Sequence, residues 1–277
     1  MQVDSEEIQR QVKLALSEDV GSGDLTAALV PADEQTVARV ISREEAVLAG
    51  CEWFDEVFRQ LDAGIIVEWS ASDGTTVSDN QLLCTVSGNA ASILTGERTA
   101  LNFLQTLSAV ATRTRRYVDA VRPLPVNILD TRKTIPGLRL AQKYAVTCGG
   151  GVNHRVGLYD AVLIKENHIL AAGSICEALQ QALAQTPANT EIEIEVESLD
   201  EMKEALDAGA RRLLLDNFSL QQLCEAVEIN QGRARLEASG NVNLQTVRSI
   251  AETGVNDISI GELTKHIEAV DLSMRFV

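Results

Sequence analysis

Four cationic side chains, Arg132, Lys133, Arg155 and Lys165, fall within one short stretch of the 277-residue chain. A guanidinium can fork onto two oxygens of a carboxylate or phosphate, which an ammonium cannot do. Arg132 and Arg155 therefore suit a small anion. His154 alone would most often be structural; beside Arg155 it is a donor to a carboxylate. Gly149-Gly150-Gly151 runs up to it and frees the backbone, either for a shaped site loop or for a plain flexible connection. Lys165 also has the chemistry of a Schiff-base lysine, which works with a depressed pKa. Glu195 and Asp216 offer carboxylates to sugar hydroxyls or a metal. Ser239-Gly240-Asn241 and Ser259-Ile260-Gly261 bring small residues to strand-to-helix turns. Backbone N–H groups and a helix N-terminus can hold phosphate at such turns.

These residues share one position in the pattern. Beyond Pro123, short apolar strands are expected at 126–129, 161–164, 192–196, 213–215, 235–238 and 257–260. Helical segments intervene at about 137–147, 172–185, 199–208, 219–230 and 243–253. Every candidate above except the 149–155 run stands at the carboxyl end of one of these strands. Active sites of parallel α/β folds gather at that edge, because the loops there converge on one mouth. Any strand must end in polar loop residues, which accounts for one or two of these ends. It does not account for cations at two ends, carboxylates at two others and small residues at the last two.

Repeated βα units imply a parallel sheet with right-handed crossovers. Six strands are too few for a full eight-stranded barrel of about 250 residues. The expectation is an incomplete βα barrel, with a doubly wound open sheet as the alternative. Residues 190–197, TEIEIEVE, alternate strictly, so Glu193, Glu195 and Glu197 share one face. In a barrel such carboxylates point inward and need pairing, water or a cation. On an edge strand they would simply be a solvated acidic face.

The first 95 or so residues mix a helix with short strands. Residues 5–18 put Ile8, Val12, Ala15 and Leu16 on one helical face. Strands are expected at 37–42, 65–69 and 81–86, a helix at 51–61, a turn at Asp73-Gly74, and a long helix from near Glu97 past Val118.

Charge sharpens this reading. The chain carries 24 Lys+Arg against 40 Asp+Glu, a formal net charge of -16. Between Glu97 and His168 the balance reverses, with eleven basic residues against five acidic ones. An acidic chain disfavours nucleic-acid binding driven by overall charge. No apolar run approaches the roughly 20 residues that span a bilayer, and the acidic N-terminus is unlike a signal peptide. Five dispersed cysteines without a CxxC pair read as reduced thiols of a cytoplasmic protein.

The motifs resemble the quinolinate phosphoribosyltransferase family over nearly the whole chain. They comprise EDVGSGDLT at 18–26, GERTALNFLQTLSAVAT at 96–112, DTRKTIPGLRLAQKYAVTCGGGVNHRVGLYD at 130–160 and LIKENH at 163–168. IEIEVES at 192–198, LLLDN at 213–217, EASGN at 237–241 and SIGELT at 259–264 continue the match. The resemblance implies an N-terminal α/β sandwich followed by an incomplete α/β barrel with fewer than eight strands. Its implied boundaries are 1–105 for the sandwich, with the tail 267–277 packing on it, and 106–266 for the catalytic barrel. It implies joining of quinolinate to phosphoribosyl pyrophosphate, with Mg²⁺ and no organic cofactor, and with neither nucleic acid nor membrane as partner. Arg132, His154, Arg155 and Lys165 would line the quinolinate pocket. Arg98 would enter from the partner subunit of a homodimer, with any higher assembly left open. Lys133, with Thr134 beside it, would contact the ribosyl pyrophosphate. Glu195 and Asp216 would sit near the ribose hydroxyls and Mg²⁺ and, with Lys165, form the catalytic set. Ser239, Gly240, Asn241, Ile260, Gly261 and Glu262 would hold the 5′-phosphate.

The last motif departs from the family, which usually has His after its Leu-Thr; here Lys265 stands there and His266 follows. Three rival readings remain at this level: a Schiff-base lyase using Lys165, a non-catalytic binder of phosphorylated metabolites, and a phosphoribosyltransferase for another aromatic acid.

Overall fold

The computed structural model describes residues 1–277. In chain order the elements begin with α1 (Ser5–Asp19), β1 (Gln35–Ser42), β2 (Ala46–Val47), α2 (Cys51–Leu61), β3 (Ile66–Trp69), β4 (Thr76–Val77), β5 (Leu82–Asn89) and α3 (Ala90–Val121). There follow β6 (Asn127–Leu129), α4 (Arg139–Cys148), β7 (Ala161–Ile164), α5 (Glu166–Ala172), α6 (Ile175–Gln185), β8 (Glu191–Val196), α7 (Leu199–Asp207), β9 (Arg212–Asp216) and α8 (Leu220–Asn230). The chain ends with β10 (Arg235–Ser239), α9 (Val247–Glu252), β11 (Asp257–Ser259), α10 (Glu262–Lys265) and β12 (Leu272–Phe276). One compact unit comprises Met1–Arg115, Thr134–Gly150 and Leu263–Val277; a second comprises Arg116–Lys133 and Gly151–Glu262.

The first unit is built on an antiparallel sheet of order β12-β1-β5-β3. Its core holds Trp53, Phe54 and Phe58 of α2, with Phe54 set edge-on against Phe58 and Trp69 at 5.2 and 5.3 Å. The N-terminus of α2 has no cap of its own. The Asp73 carboxylate accepts the N–H groups of Gly50 and Cys51 instead, at 3.1 and 3.2 Å. On α1 the apolar face includes one polar residue, Gln11. It is buried because its Oε1 accepts the Trp53 indole N–H at 2.7 Å.

Three helix starts differ from the sequence expectation, those of α3, α6 and α9. α3 starts at Ala90, seven residues early, directly after β5; Gly88 and Asn89 form the junction, and Asn89 Oδ1 caps it by accepting Ser92 N–H at 3.0 Å. The helix expected at 172–185 is divided at Gly173, where φ is +107°, and Ser174 then caps α6 through the N–H of Glu177.

The second unit is a six-stranded parallel sheet of order β6-β11-β10-β9-β8-β7. Neighbours along the sheet follow one another in the chain, and the last strand, β11, pairs with the first, β6. That is the order of a barrel; a doubly wound sheet reverses direction at a switch point. The barrel is incomplete because β6 and β7 do not pair. In that seam only Val152 bridges to Leu129, with Val152 N–H to Ile128 O at 2.8 Å and Asp130 N–H to Val152 O at 3.2 Å. β8 is an interior strand, not an edge, so its acidic face is not a solvated one.

Candidate active site

The strand ends of the second unit do converge. At the end of β6, Asp130 is fully buried and takes the His154 N–H on Oδ1 at 2.8 Å and the Asn153 side-chain amide on Oδ2 at 2.6 Å. Two residues on, Arg132 lies near Arg155. The Arg155 guanidinium is held below its usual range, first by burial and then by the charge of Arg132, with Asp160, Glu193 and Glu195 opposing. The aliphatic stem of Lys133 passes over Gly261, where a Cβ would sit 2.9 Å from Lys133 Cδ. The Lys133 side chain can take this path because residue 261 has no side chain.

Below this mouth lies a charged cluster the sequence reading did not find. His154 Nε2 stands 2.8 Å from Glu193 Oε2 and 3.5 Å from Glu237 Oε2. Arg212 donates from Nε to Glu193 at 3.0 Å and from Nη2 to Glu237 at 2.6 Å, and its Nη1 lies 3.2 Å from Asp257. Burial works against the His154 cation, but the two carboxylates prevail and its pKa is pushed up to about 10. The Arg155 N–H at 2.8 Å from Nδ1 favours the neutral ring instead. Either form carries a proton on Nε2, the atom that faces the carboxylates. Histidine and two carboxylates within 4.8 Å are the donor set of a metal centre, yet Arg212 already supplies the cation those carboxylates need. The signal was legible in principle. Arg212, Arg235, Glu237 and Asp257 fall at the same period-two parity as Asp216, Ser239 and Ser259, on the inward face of their strands.

At the ends of β7, β8 and β9, Lys165 Nζ lies 2.6 Å from Glu195 Oε2. Burial and the charge of Glu195 push the Asp216 carboxyl above its usual value, against Lys165, Asn217 and Lys133. The Lys165 side chain is 48 % exposed and ion-paired, which is not the desolvated setting that lowers a Schiff-base lysine. Glu195 and Asp216, oxygen donors that repel one another, fit a hard cation such as Mg²⁺ in donor type.

The 239–241 turn is stiffened by two asparagines. Asn217 and Asn241 adopt φ of +56° and +50°, Gly240 has φ of +101°, and Asn241 Nδ2 donates to Asn217 Oδ1 at 3.3 Å. A Cβ on Gly240 would fall 2.2 Å from Asn217 Oδ1. Ser239 ends β10, and Ile260 N–H donates to Leu129 O at 2.9 Å. Glu262 receives a short hydrogen bond from the fully buried Tyr117. The helices following the two small-residue turns are weaker than expected. α9 begins only at Val247, after an Asn243 turn, and α10 is a single turn, so little helix dipole reaches either loop. Arg98 and Thr134 belong to the first unit. Arg98 is exposed on α3 and Thr134 Oγ1 accepts from Arg139 Nε at 3.1 Å. Lys265 and His266 are exposed.

The family model for the N-terminal domain of quinolinate phosphoribosyl transferase matches residues 24–108, and that for its C-terminal domain matches residues 110–275. The chain is 41% identical over 289 residues to a mitochondrial quinolinate phosphoribosyltransferase [decarboxylating] of Nicotiana tabacum, covering 97% of this chain and 82% of that protein. It is 38% identical over 257 residues to a probable nicotinate-nucleotide pyrophosphorylase [carboxylating] of Bacillus subtilis, covering 93% and 89%. Its fold superposes on the structure of the nicotinate-nucleotide pyrophosphorylase from Francisella tularensis with a TM-score of 0.97 and 47% identity, covering 100% and 98%. With both domain models matched end to end and the six-stranded parallel sheet shared, the chain belongs to the quinolinate phosphoribosyltransferase family.

Proposed function

We propose that this chain transfers the phosphoribosyl group of phosphoribosyl pyrophosphate to quinolinate, releasing pyrophosphate and carbon dioxide and forming nicotinate mononucleotide for de novo NAD synthesis. The observation that carries this reading is the Arg132–Arg155 pair, two guanidiniums close enough to repel at the mouth of the barrel. A dicarboxylate relieves that repulsion, and a forked contact to each carboxylate fixes the pyridine ring in one orientation. Lys165 completes the cationic wall and His154 its floor. A monocarboxylate would leave one guanidinium without its anion, which favours quinolinate over other aromatic acids.

The pyridine nitrogen attacks C1 of the ribose as the C1–O bond to pyrophosphate breaks, through an oxocarbenium-like state. Glu195 and Asp216 favour the positive charge that develops on the sugar. Mg²⁺, when bound with Glu195 and Asp216 as its carboxylates, neutralises pyrophosphate charge. Lys133 and Thr134 contact the ribosyl pyrophosphate, and Ser239, Gly240, Asn241, Ile260, Gly261 and Glu262 hold the 5′-phosphate. The pyridinium then takes up the electron pair released as the carboxylate next to nitrogen leaves as carbon dioxide. The ylide so formed accepts a proton, for which Lys165 is the proposed donor. The boundaries 1–105 and 106–266, with 267–277 on the first domain, are proposed as the folding domains.

The active unit is proposed to be a homodimer in which the partner's Arg98 completes the pocket; the exposure of Arg98 on α3 supports this. Five free thiols support a cytoplasmic location, and no helix is long and apolar enough to cross a membrane. The test is to mix protein, quinolinate, phosphoribosyl pyrophosphate and Mg²⁺. Nicotinate mononucleotide and pyrophosphate should appear together, and the absence of both overturns the reading. Mixing Arg98→Ala with Lys165→Ala subunits should regain activity; none, despite verified exchange, rules out the shared site.

A further inference from the structure

The open seam between β6 and β7 poses a problem that the substrate pocket must solve. Arg132 follows the end of β6, whereas Arg155 lies in the 151–160 segment, which lacks a full ladder to hold it. One isolated bridge, Leu129 to Val152, joins the two. Beyond that bridge the backbone pairing stops and a side chain takes over. Asp130 Oδ1 receives the His154 N–H at 2.8 Å, and Oδ2 receives the Asn153 amide at 2.6 Å. The ring of His154 is then anchored on Glu193 at 2.8 Å, and its Nδ1 lies 2.8 Å from the Arg155 backbone nitrogen. The segment that carries Arg155 thus hangs from a buried carboxylate two residues before Arg132 in the chain.

We propose that Asp130 is a positioning residue whose carboxylate clasp, closed on Asn153 and His154, sets the separation of Arg132 and Arg155 and thereby the preference for a dicarboxylate. The proposal rests on the quinolinate reading above, but the clasp itself can be measured without substrate. A carboxylate is needed because the two oxygens face two donors. An amide at 130 turns one of them into a donor aimed at the Asn153 amide.

The test uses a reciprocal exchange in the full-length chain. Asp130→Asn should raise KM for quinolinate about tenfold while KM for phosphoribosyl pyrophosphate stays within twofold. Asn153→Asp should do the same, since it sets two carboxylates against each other. The double variant restores a donor against an acceptor, and its quinolinate KM should return to within about threefold of wild type. Hydrogen exchange at the His154 amide reads the same geometry in the free protein, faster in each single variant and slowed again in the double. Equal loss for both substrates, or no rescue in the exchanged pair, overturns the proposal. An inactive wild type removes the quinolinate reading alone, and the amide exchange still decides the clasp.

Discussion

Lys165 and Glu195 form a close ion pair at the mouth of the barrel, 2.6 Å apart on neighbouring strand ends. With its lysine half exposed, such a pair contributes about 1 kcal/mol to folding. Lys165→Ala is therefore expected to lower kcat at least a hundredfold while shifting the urea midpoint very little. A large loss of stability instead would make the pair structural. Borohydride with a carbonyl compound should trap no adduct in wild type.

Arg212 neutralises Glu193 and Glu237 inside the barrel, with Asp257 as a third partner. Removing a single member of such a buried group leaves uncompensated charge and costs about 3–5 kcal/mol. Arg212→Leu should lower stability by that amount in urea denaturation. A change below about 1 kcal/mol would show that the network is not held by its arginine.

Burial opposes the His154 cation, but Glu193 and Glu237 outweigh it and push the His154 pKa from 6.5 up to about 10, and protonation of Nδ1 releases the Arg155 N–H from its 2.8 Å contact. The stabilising contribution of the cation is whole below about 6.5 and is lost as pH rises through about 10. The melting temperature of wild type should fall by roughly 5 °C more between pH 8 and 10.5 than that of His154→Asn. Parallel curves for the two proteins would contradict this assignment.

Gly240 has φ of +101° and no room for a Cβ against Asn217. Gly240→Ala must displace Asn217, and with it the Asn217–Asp216 hydrogen bond at 2.8 Å. KM for phosphoribosyl pyrophosphate should rise at least tenfold and KM for quinolinate less than twofold. Equal effects on both substrates would mean that the loop does not hold the phosphate side of the site.

The strands of the second unit were readable because each is a short apolar run closed by polar residues, and all six appear within about two residues of expectation. Alternation in 190–197 signalled inward carboxylates, but not what they meet. That depends on Arg212, which touches Glu193 across strands nineteen positions apart. Nor could spacing show that Val152 would bridge to Leu129, since the bridge depends on closure of the sheet. The α3 start was missed because Asn89 caps the helix while still belonging to β5. Parity along β9, β10 and β11 places Arg212, Glu237 and Asp257 on the inward face, but the partner each one meets is decided by tertiary closure.

A fully closed barrel ties the tilt and stagger of every strand to all the others. A sheet with one unpaired seam has no such closure condition. Residues inserted into or deleted from the 151–160 segment need not change the register of any strand, so the carboxylate-reading end of the pocket can be remodelled independently of the ribose-phosphate end. Descendants of such a scaffold can exchange one aromatic acid for another by rebuilding a loop, with the sugar chemistry left as it was.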